Sequence, residues 1–405
     1  MHFLFAWRYF KAKKSTNAIN IIAWVSMAAI VVITAAFIVL LSVFNGFEGL
    51  VKSLYSTFYA DMRVVPAEGK KMLLTPEQLK RIEGDPGIAN YSLIIEDKAL
   101  LQNGDVQVIV YLKGVDANFE KVSGVSGKLI RGKYDLGTEG KSGIILGSGV
   151  ENALGLYSDQ NMYPLTAYLF KPGININAID PLQAFSADNI ITTGTFFIQQ
   201  DIDNKYAITS LQFMKDMLGY GQHEYGSLEF SLSPGSSESN VKKRLQEMLG
   251  NQYVVETRYE QNKSLYSVMT IEKYAIYGIL TLMLVVAAFT LVGALSMLVL
   301  EKKEDIGVLR SLGASDKLVQ KIFLSEGLLL ASIGAISGTL LAILICWAQE
   351  KFKLVPIQGG TFLISYYPVD LKITDVLIVL FTVLTISLGA SWLPAKRAEG
   401  TLVRR

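Results

Sequence analysis

The chain has 405 residues, of which 51% are hydrophobic and 18% charged, a composition too apolar and too charge-poor for an ordinary soluble protein. Its 38 basic and 36 acidic residues leave a formal net charge of +2, which gives no electrostatic basis for a nucleic-acid partner. A lone Cys346 and two remote histidines, His2 and His223, exclude an intramolecular disulfide and any cysteine or histidine metal cluster, and no cofactor is expected.

The opening FLFAWRYFKAKK alternates aromatic and basic residues on a helical period, so residues 1–17 are expected to form an elbow helix in the membrane interface. Ala18 to Phe44 follows, 27 residues without a charged side chain. As a helix it is about 40 Å long, enough to cross a hydrocarbon core of about 30 Å. The apolar region of a signal peptide is only about 7 to 15 residues. Beyond it, GFEGLVKSLYSTFY keeps Leu50, Leu54 and Phe58 at helical spacing, which predicts that the first span continues as a stalk.

Residues 45–273 read as a globular α+β domain, long enough for two subdomains. SLIIEDKALL and VQVIVYLKGV flank Asn103-Gly104-Asp105 and predict a hairpin whose tight turn uses the positive φ angles favoured by Asn-Gly. Thr75-Pro76-Glu77-Gln78 and Thr209-Ser210-Leu211-Gln212 fit capping boxes that open short helices. Further strands are expected at SGIILG, NMYPLTAYLF, NIITTGTFFI, GSLEFSLS and QYVVETR, and a helix at ESNVKKRLQEML. Lys171 to Asn189 interrupts this alternation with a long loop holding Pro172, Ile174, Ile176, Ile179, Pro181, Leu182 and Phe185. Loops of this length are uncommon and often functional. Two readings stand, an Ω-loop packed on its own domain and a protruding arm that binds a partner. Gly140-Lys141-Ser142 lacks the first glycine of a phosphate-binding loop, since Asp135 stands there. The segment YEQNKSLYSVMTIEKY, free of Gly and Pro, predicts a second helical stalk leading into the next span.

Three more spans are expected at residues 274–300, 322–349 and 376–393, joined by the loops 301–321 and 350–375 and closed by the tail 394–405. Lys and Arg cluster before the first span, between the second and third, and after the fourth, so these segments are expected in the cytoplasm and residues 45–273 outside. In the third span, Gly334 and Gly338 form a GxxxG stripe suited to close helix packing. The loop EKKEDIGVLRSLGASDKLVQK predicts a short amphipathic helix: Ile306, Leu309 and Leu312 form its apolar stripe, Glu304, Asp305 and Arg310 its polar side, and Gly313 its end. Such a helix suits docking into a groove of another protein, or lying on the bilayer. No nucleophile elbow, zinc helix or dinucleotide fingerprint is present, so the chain is expected to be non-catalytic and to draw energy from a partner.

EKKEDIGVLRSLGAS resembles the coupling motif of FtsX-like, or type VII, ABC permeases, and TFLISYYPVDLK with SWLPAKRAEG resembles their closing region. NAINIIAWVSMAAI with SVFNGF resembles the first span of the lipoprotein-releasing LolC/LolE branch, while the ending TLVRR departs from the pattern. The resemblance implies a membrane protein of the bacterial inner membrane, with four transmembrane α-helices and a large α+β periplasmic domain inserted between helices 1 and 2. It implies two LolD-type cytoplasmic ATPases, a second permease subunit that is identical or a LolC/LolE-like sister, and lipoprotein substrates lifted from membrane lipid to a LolA-type periplasmic chaperone. The loop from Glu304 to Gly313 would couple to the ATPase, and Pro172 to Phe185 would be the chaperone-binding arm. A triacylated anchor needs apolar shelter throughout its transfer; the candidates are Leu40, Leu41, Phe44, Phe47, Leu265, Val268 and Met269. Peptide or antibiotic export, or regulation of a cell-wall hydrolase by another type VII permease, is the alternative.

Overall fold

A computed structural model describes residues 17–138, 140–158, 164–171, 184–357 and 366–400, with side chains omitted at 17–20, 23 and 397–400. The elbow segment and Pro172, Ile174, Ile176, Ile179, Pro181 and Leu182 lie outside the described residues. The chain divides into a helical unit, up to Leu50 and largely from Ser267 onward, and an inserted domain, Val51–Tyr266.

Four helices among the described residues are long and apolar enough to cross a membrane. We label them α1 (Asn17–Phe58), α2 (Lys263–Glu301), α4 (Asp316–Phe352) and α5 (Ile373–Gly400), with a short α3 (Lys303–Ser311) between the second and third. Each outruns its apolar core, because flanking segments such as KSLYSTF and KSLYSVMT carry helix-compatible residues without Pro or Gly. α5 also continues through Pro394, which was expected to begin the tail.

Small residues set the spacing of these helices. A Cβ added at Gly338 would lie 2.6 Å from the Val31 carbonyl oxygen, and one at Gly334 would lie 2.9 Å from the Ile30 side chain. The GxxxG stripe of α4 thus receives the backbone of α1, the close approach that small residues permit. Gly327, two turns before Gly334, sits against Ser391 of α5. Ile30, Phe37, Ile38, Leu284, Leu291, Ala335 and Val383 are among the side chains that fill the bundle interior.

Among its described residues, the inserted domain holds one sheet of eleven strands and a two-stranded satellite. Its strands are β1 (Met62–Pro66), β2 (Met72–Leu73), β3 (Ile88–Asn103), β4 (Val106–Val115), β5 (Leu129–Gly132), β6 (Gly137–Thr138), β7 (Lys141–Gly147), β8 (Leu165–Phe170), β9 (Phe185–Phe196), β10 (Tyr206–Ser210), β11 (Glu224–Tyr225), β12 (Ser227–Leu232) and β13 (Tyr253–Thr257). Residues 51–266 form one unit with no division into two subdomains. The 16-residue β3 explains why: along one edge it pairs with β4, along the other first with β12 and then with β8. Pairings β4–β10, β10–β7, β7–β9 and β9–β8 then close a circuit of six strands back to β3. Ile95, Leu101, Leu112, Ile144, Leu165 and Ile190 pack within one core, capped by Phe213 and Met214 of the helix Leu211–Leu218. β13, β1 and β12 form a wing whose second core is covered by the helix Glu238–Leu249.

Three local expectations are corrected. The β3–β4 turn is closed by Asn103 opposite Val106, so Gly104, with φ of 57°, and Asp105 are its central residues rather than Asn103 and Gly104. Ser210, not Thr209, caps the following helix by accepting from the Phe213 amide, because Thr209 lies within β10 with its hydroxyl donating to the Gly143 carbonyl. Phe185 to Asn189 belong to β9 and pair with β8, so the exceptional segment narrows to a hairpin connection. The capping box at Thr75 and Gln78 is present, and a second at Thr257 and Glu260 had no counterpart in the sequence reading.

Candidate functional site

The SVFNGF segment brings a polar knot to one end of the helical unit. Asn45 of α1 donates to Asp375 of α5 at 2.6 Å and accepts from Lys273 of α2 at 2.9 Å, while Lys273 and Asp375 form an ion pair at 3.3 Å. One asparagine amide thus satisfies a cation and an anion from two other helices, holding three helix segments in register. The next residue has to be glycine: a Cβ at Gly46 would collide with the Pro368 carbonyl, where the α4–α5 connection crosses α1. Asp370 donates its amide to the Ser42 carbonyl at 2.9 Å, fixing that crossing.

Beside this knot lies a pocket of about 560 Å³. Leu41, Phe44, Met269, Tyr274, Tyr277 and Ile378 give it apolar walls, and Lys273, Asp375 and Glu48 add charged groups to its lining. Tyr277 is fixed by hydrogen bonding to Thr382 and by its ring on Phe37, centroids 5.1 Å apart. An apolar chamber with a few charged groups at its edge suits an amphiphile, an acyl chain inside and a polar group at Lys273 or Asp375.

Of the seven residues expected to shelter an acyl chain, Leu41, Phe44 and Met269 meet in this pocket. The other four do not. Leu40 and Val268 are about half exposed elsewhere, Phe47 packs edge-on to Tyr367 at 5.6 Å, and Leu265 belongs to the inserted domain. Sequence reasoning missed Asn45, Lys273 and Asp375. Their signal was available: Asn45 is the only amide side chain of the SVFNGF segment, and Lys273 and Asp375 are the charged residues directly flanking the second and fourth apolar runs.

Helix α3 differs from its expected use. Ile306 is 4% exposed and packs on Leu298, Val299, Val319, Phe323 and Ala395. It therefore faces the bundle and is closed to a partner, and Leu309 is half-buried. The outward apolar side chains are Val308 and Leu312, 59% and 80% exposed, with Glu304 and Asp305 also exposed. Arg310 pairs with Asp316 at 2.6 Å, tying α3 to the start of α4. Gly313 turns the chain between them with φ of 90°, a conformation costly for any other residue. Of the arm residues only Phe185 is described; it is exposed, and its ring meets Phe170 edge-on at 5.7 Å at the hairpin's end.

Comparison with known proteins matches two family models along the chain. Residues 277–400 match the FtsX-like permease C-terminal family, and residues 23–248 match the MacB-like periplasmic core domain. The lipoprotein-releasing system transmembrane protein LolC of Neisseria meningitidis serogroup B is 28% identical, covering 99% of this chain and 98% of that protein. LolC of Xylella fastidiosa is 26% identical, over 96% of this chain and 94% of its own. LolE of Haemophilus influenzae is also 26% identical, over 98% of this chain and 96% of its own.

Proposed function

We propose that this chain, which belongs to the MacB-like periplasmic core domain family by its match over residues 23–248 and also matches the FtsX-like permease C-terminal family over residues 277–400, is the permease subunit of an ABC transporter that releases lipoproteins from the inner membrane. The single observation that carries the reading is the pocket walled by Leu41, Phe44 and Met269 and edged by Lys273 and Asp375. Moving an acyl chain into water costs about 0.8 kcal/mol per CH₂, so extraction needs an apolar chamber at the point of departure. Full-length similarity to proteins named for lipoprotein release supports it.

In this reading a cytoplasmic LolD-type ATPase supplies the energy in two copies, a second permease completes the membrane part, and a LolA-type chaperone receives the product. Val308, Leu312, Glu304 and Asp305 form the docking face for the ATPase, with Ile306 fastening α3 to the bundle. The β8–β9 hairpin carries the arm, from Pro172 to Phe185, toward the chaperone.

The test is release of a triacylated lipoprotein from proteoliposomes to a soluble chaperone. Phe44→Asp and Met269→Asp each place a charge in the apolar wall, where it is strongly disfavoured, and release should fall at least about tenfold with ATPase assembly retained. Release at the unmodified rate in both variants would remove the pocket from the mechanism. Intact ATPase coupling without lipoprotein release by the parent protein would favour peptide export or hydrolase regulation.

A further inference from the structure

A second pocket, of about 430 Å³, lies wholly within the inserted domain and has a different lining. Two stacked tyrosine pairs form it. Tyr55, in the last turn of α1, and Tyr59, the residue just beyond its end, have ring centroids 5.7 Å apart and planes 10° from parallel. Tyr111 and Tyr206 are direct partners on the parallel strands β4 and β10, with centroids 5.5 Å apart and planes at 28°. The Tyr59 and Tyr206 hydroxyls meet at 3.5 Å and so link the pairs. Beneath them Phe58, fully buried, packs on Tyr206 at 4.6 Å and leaves the aromatic wall no room to collapse.

Apart from Ile202 and Leu265, the rest of the lining is polar. Gln261 and Asn262 bring side-chain amides, while Lys205 and Lys263 bring two positive charges against the one negative charge of Asp201. Burial raises the Tyr59 and Tyr206 hydroxyls above their usual range, so both remain protonated and able to donate. An acyl chain is poorly matched to this site, because it would strip water from hydroxyl, amide and ammonium groups without replacing their hydrogen bonds. Peptide groups are well matched: amides and tyrosine hydroxyls bond to backbone C=O and N–H whatever the sequence, and ring faces stack on flat peptide units. The excess of lysine favours a carboxylate in the ligand.

We infer that this pocket binds the extended, acidic or neutral polar segment of the substrate polypeptide that directly follows its lipid anchor. The inference rests on the lipoprotein-release reading and adds a second subsite for the protein part of the same substrate. It makes recognition bipartite, lipid at one pocket and main chain at the other.

The experiment uses the full-length chain in lipid nanodiscs and two synthetic triacylated peptides. One stops just after the acylated cysteine; the other continues through an extended Gly-Ser-Asp segment bearing a photoreactive group. The longer peptide should bind about tenfold more tightly, and Tyr111→Ser and Lys263→Glu should each abolish that difference while the short peptide binds as before. Tyr111→Phe, which keeps the ring face, should retain most of it and so separates recognition from misfolding. Photolabelling should fall within residues 55–59, 111, 201–206 or 261–265. Equal affinity for the two peptides, or labelling confined elsewhere, would overturn the second subsite and leave the lipoprotein reading standing. Failure of both peptides to bind would instead remove that reading and this inference with it.

Discussion

Buried polar residues in this chain are explained by partners that lie far away in sequence. Lys113 and Glu229 form an ion pair at 2.8 Å with side chains only 1% and 3% exposed, and the Lys113 ammonium also lies 4.9 Å from the Phe58 ring centroid. Removing one member of a buried pair strands the other, which typically costs about 3–5 kcal/mol. Glu96 also acts electrostatically on this pair, itself held protonated more readily by burial, so Glu229→Ala should fall near the lower end of that range. A thermal scan of the full chain in detergent should show a marked drop in melting temperature for Glu229→Ala, with much of it recovered in Lys113→Met/Glu229→Leu; an unchanged melting temperature for the single variant would show the pair to be dispensable. The sequence marked Asn45 and Gly46 through the SVFNGF motif, yet their reasons were not visible there. Lys273, Pro368 and Asp375 are hundreds of residues downstream, and no local pattern names a tertiary partner.

Periodicity identifies an element's faces and not what covers them, and α3 illustrates the difference. The apolar stripe of EDIGVLRSL was legible, but the stripe is used twice: Ile306 inward on the chain's own bundle, Val308 and Leu312 outward. Leu312→Asp or Val308→Asp should therefore abolish co-purification of the partner ATPase with no loss of permease stability, whereas Ile306→Asp should lower stability first, by roughly the 1.5–3 kcal/mol of a buried aliphatic side chain or more. Co-purification undiminished in Leu312→Asp/Val308→Asp would move the docking face away from α3. Elements with strong local signals were read closely, as with the helix Glu238–Leu249, found over the same residues as ESNVKKRLQEML. Ends were less secure. Thr209 lost the cap to Ser210 because its hydroxyl was already engaged across the sheet, and Pro394 did not end α5, since the missing amide bond of one proline can be absorbed in a long helix packed on its neighbours.

For the whole molecule, four spans and an inserted α+β domain could be read from hydropathy and alternation, because both are properties of composition over long windows. The side on which the inserted domain stands follows from loop charge alone, and cysteine labelling tests it. In a Cys346→Ala background, a cysteine at Ser237 should react in intact spheroplasts with a membrane-impermeant thiol reagent and one at Ser315 should not; both positions are exposed on the protein surface. Labelling at 315 would invert the topology. Sheet connectivity was beyond the sequence, since pairing depends on strands that alternation cannot match to one another. That connectivity also bears on how the protein is made. β1, at the start of the domain, is held between β12 and β13, with Met62 opposite Thr257, so its two partners emerge last. At about 5–20 residues per second of synthesis, the first strand waits on the order of ten seconds or more for them. Throughout that interval the first strand lacks both of its neighbours, the state in which an emerging chain is most open to pairing with other chains.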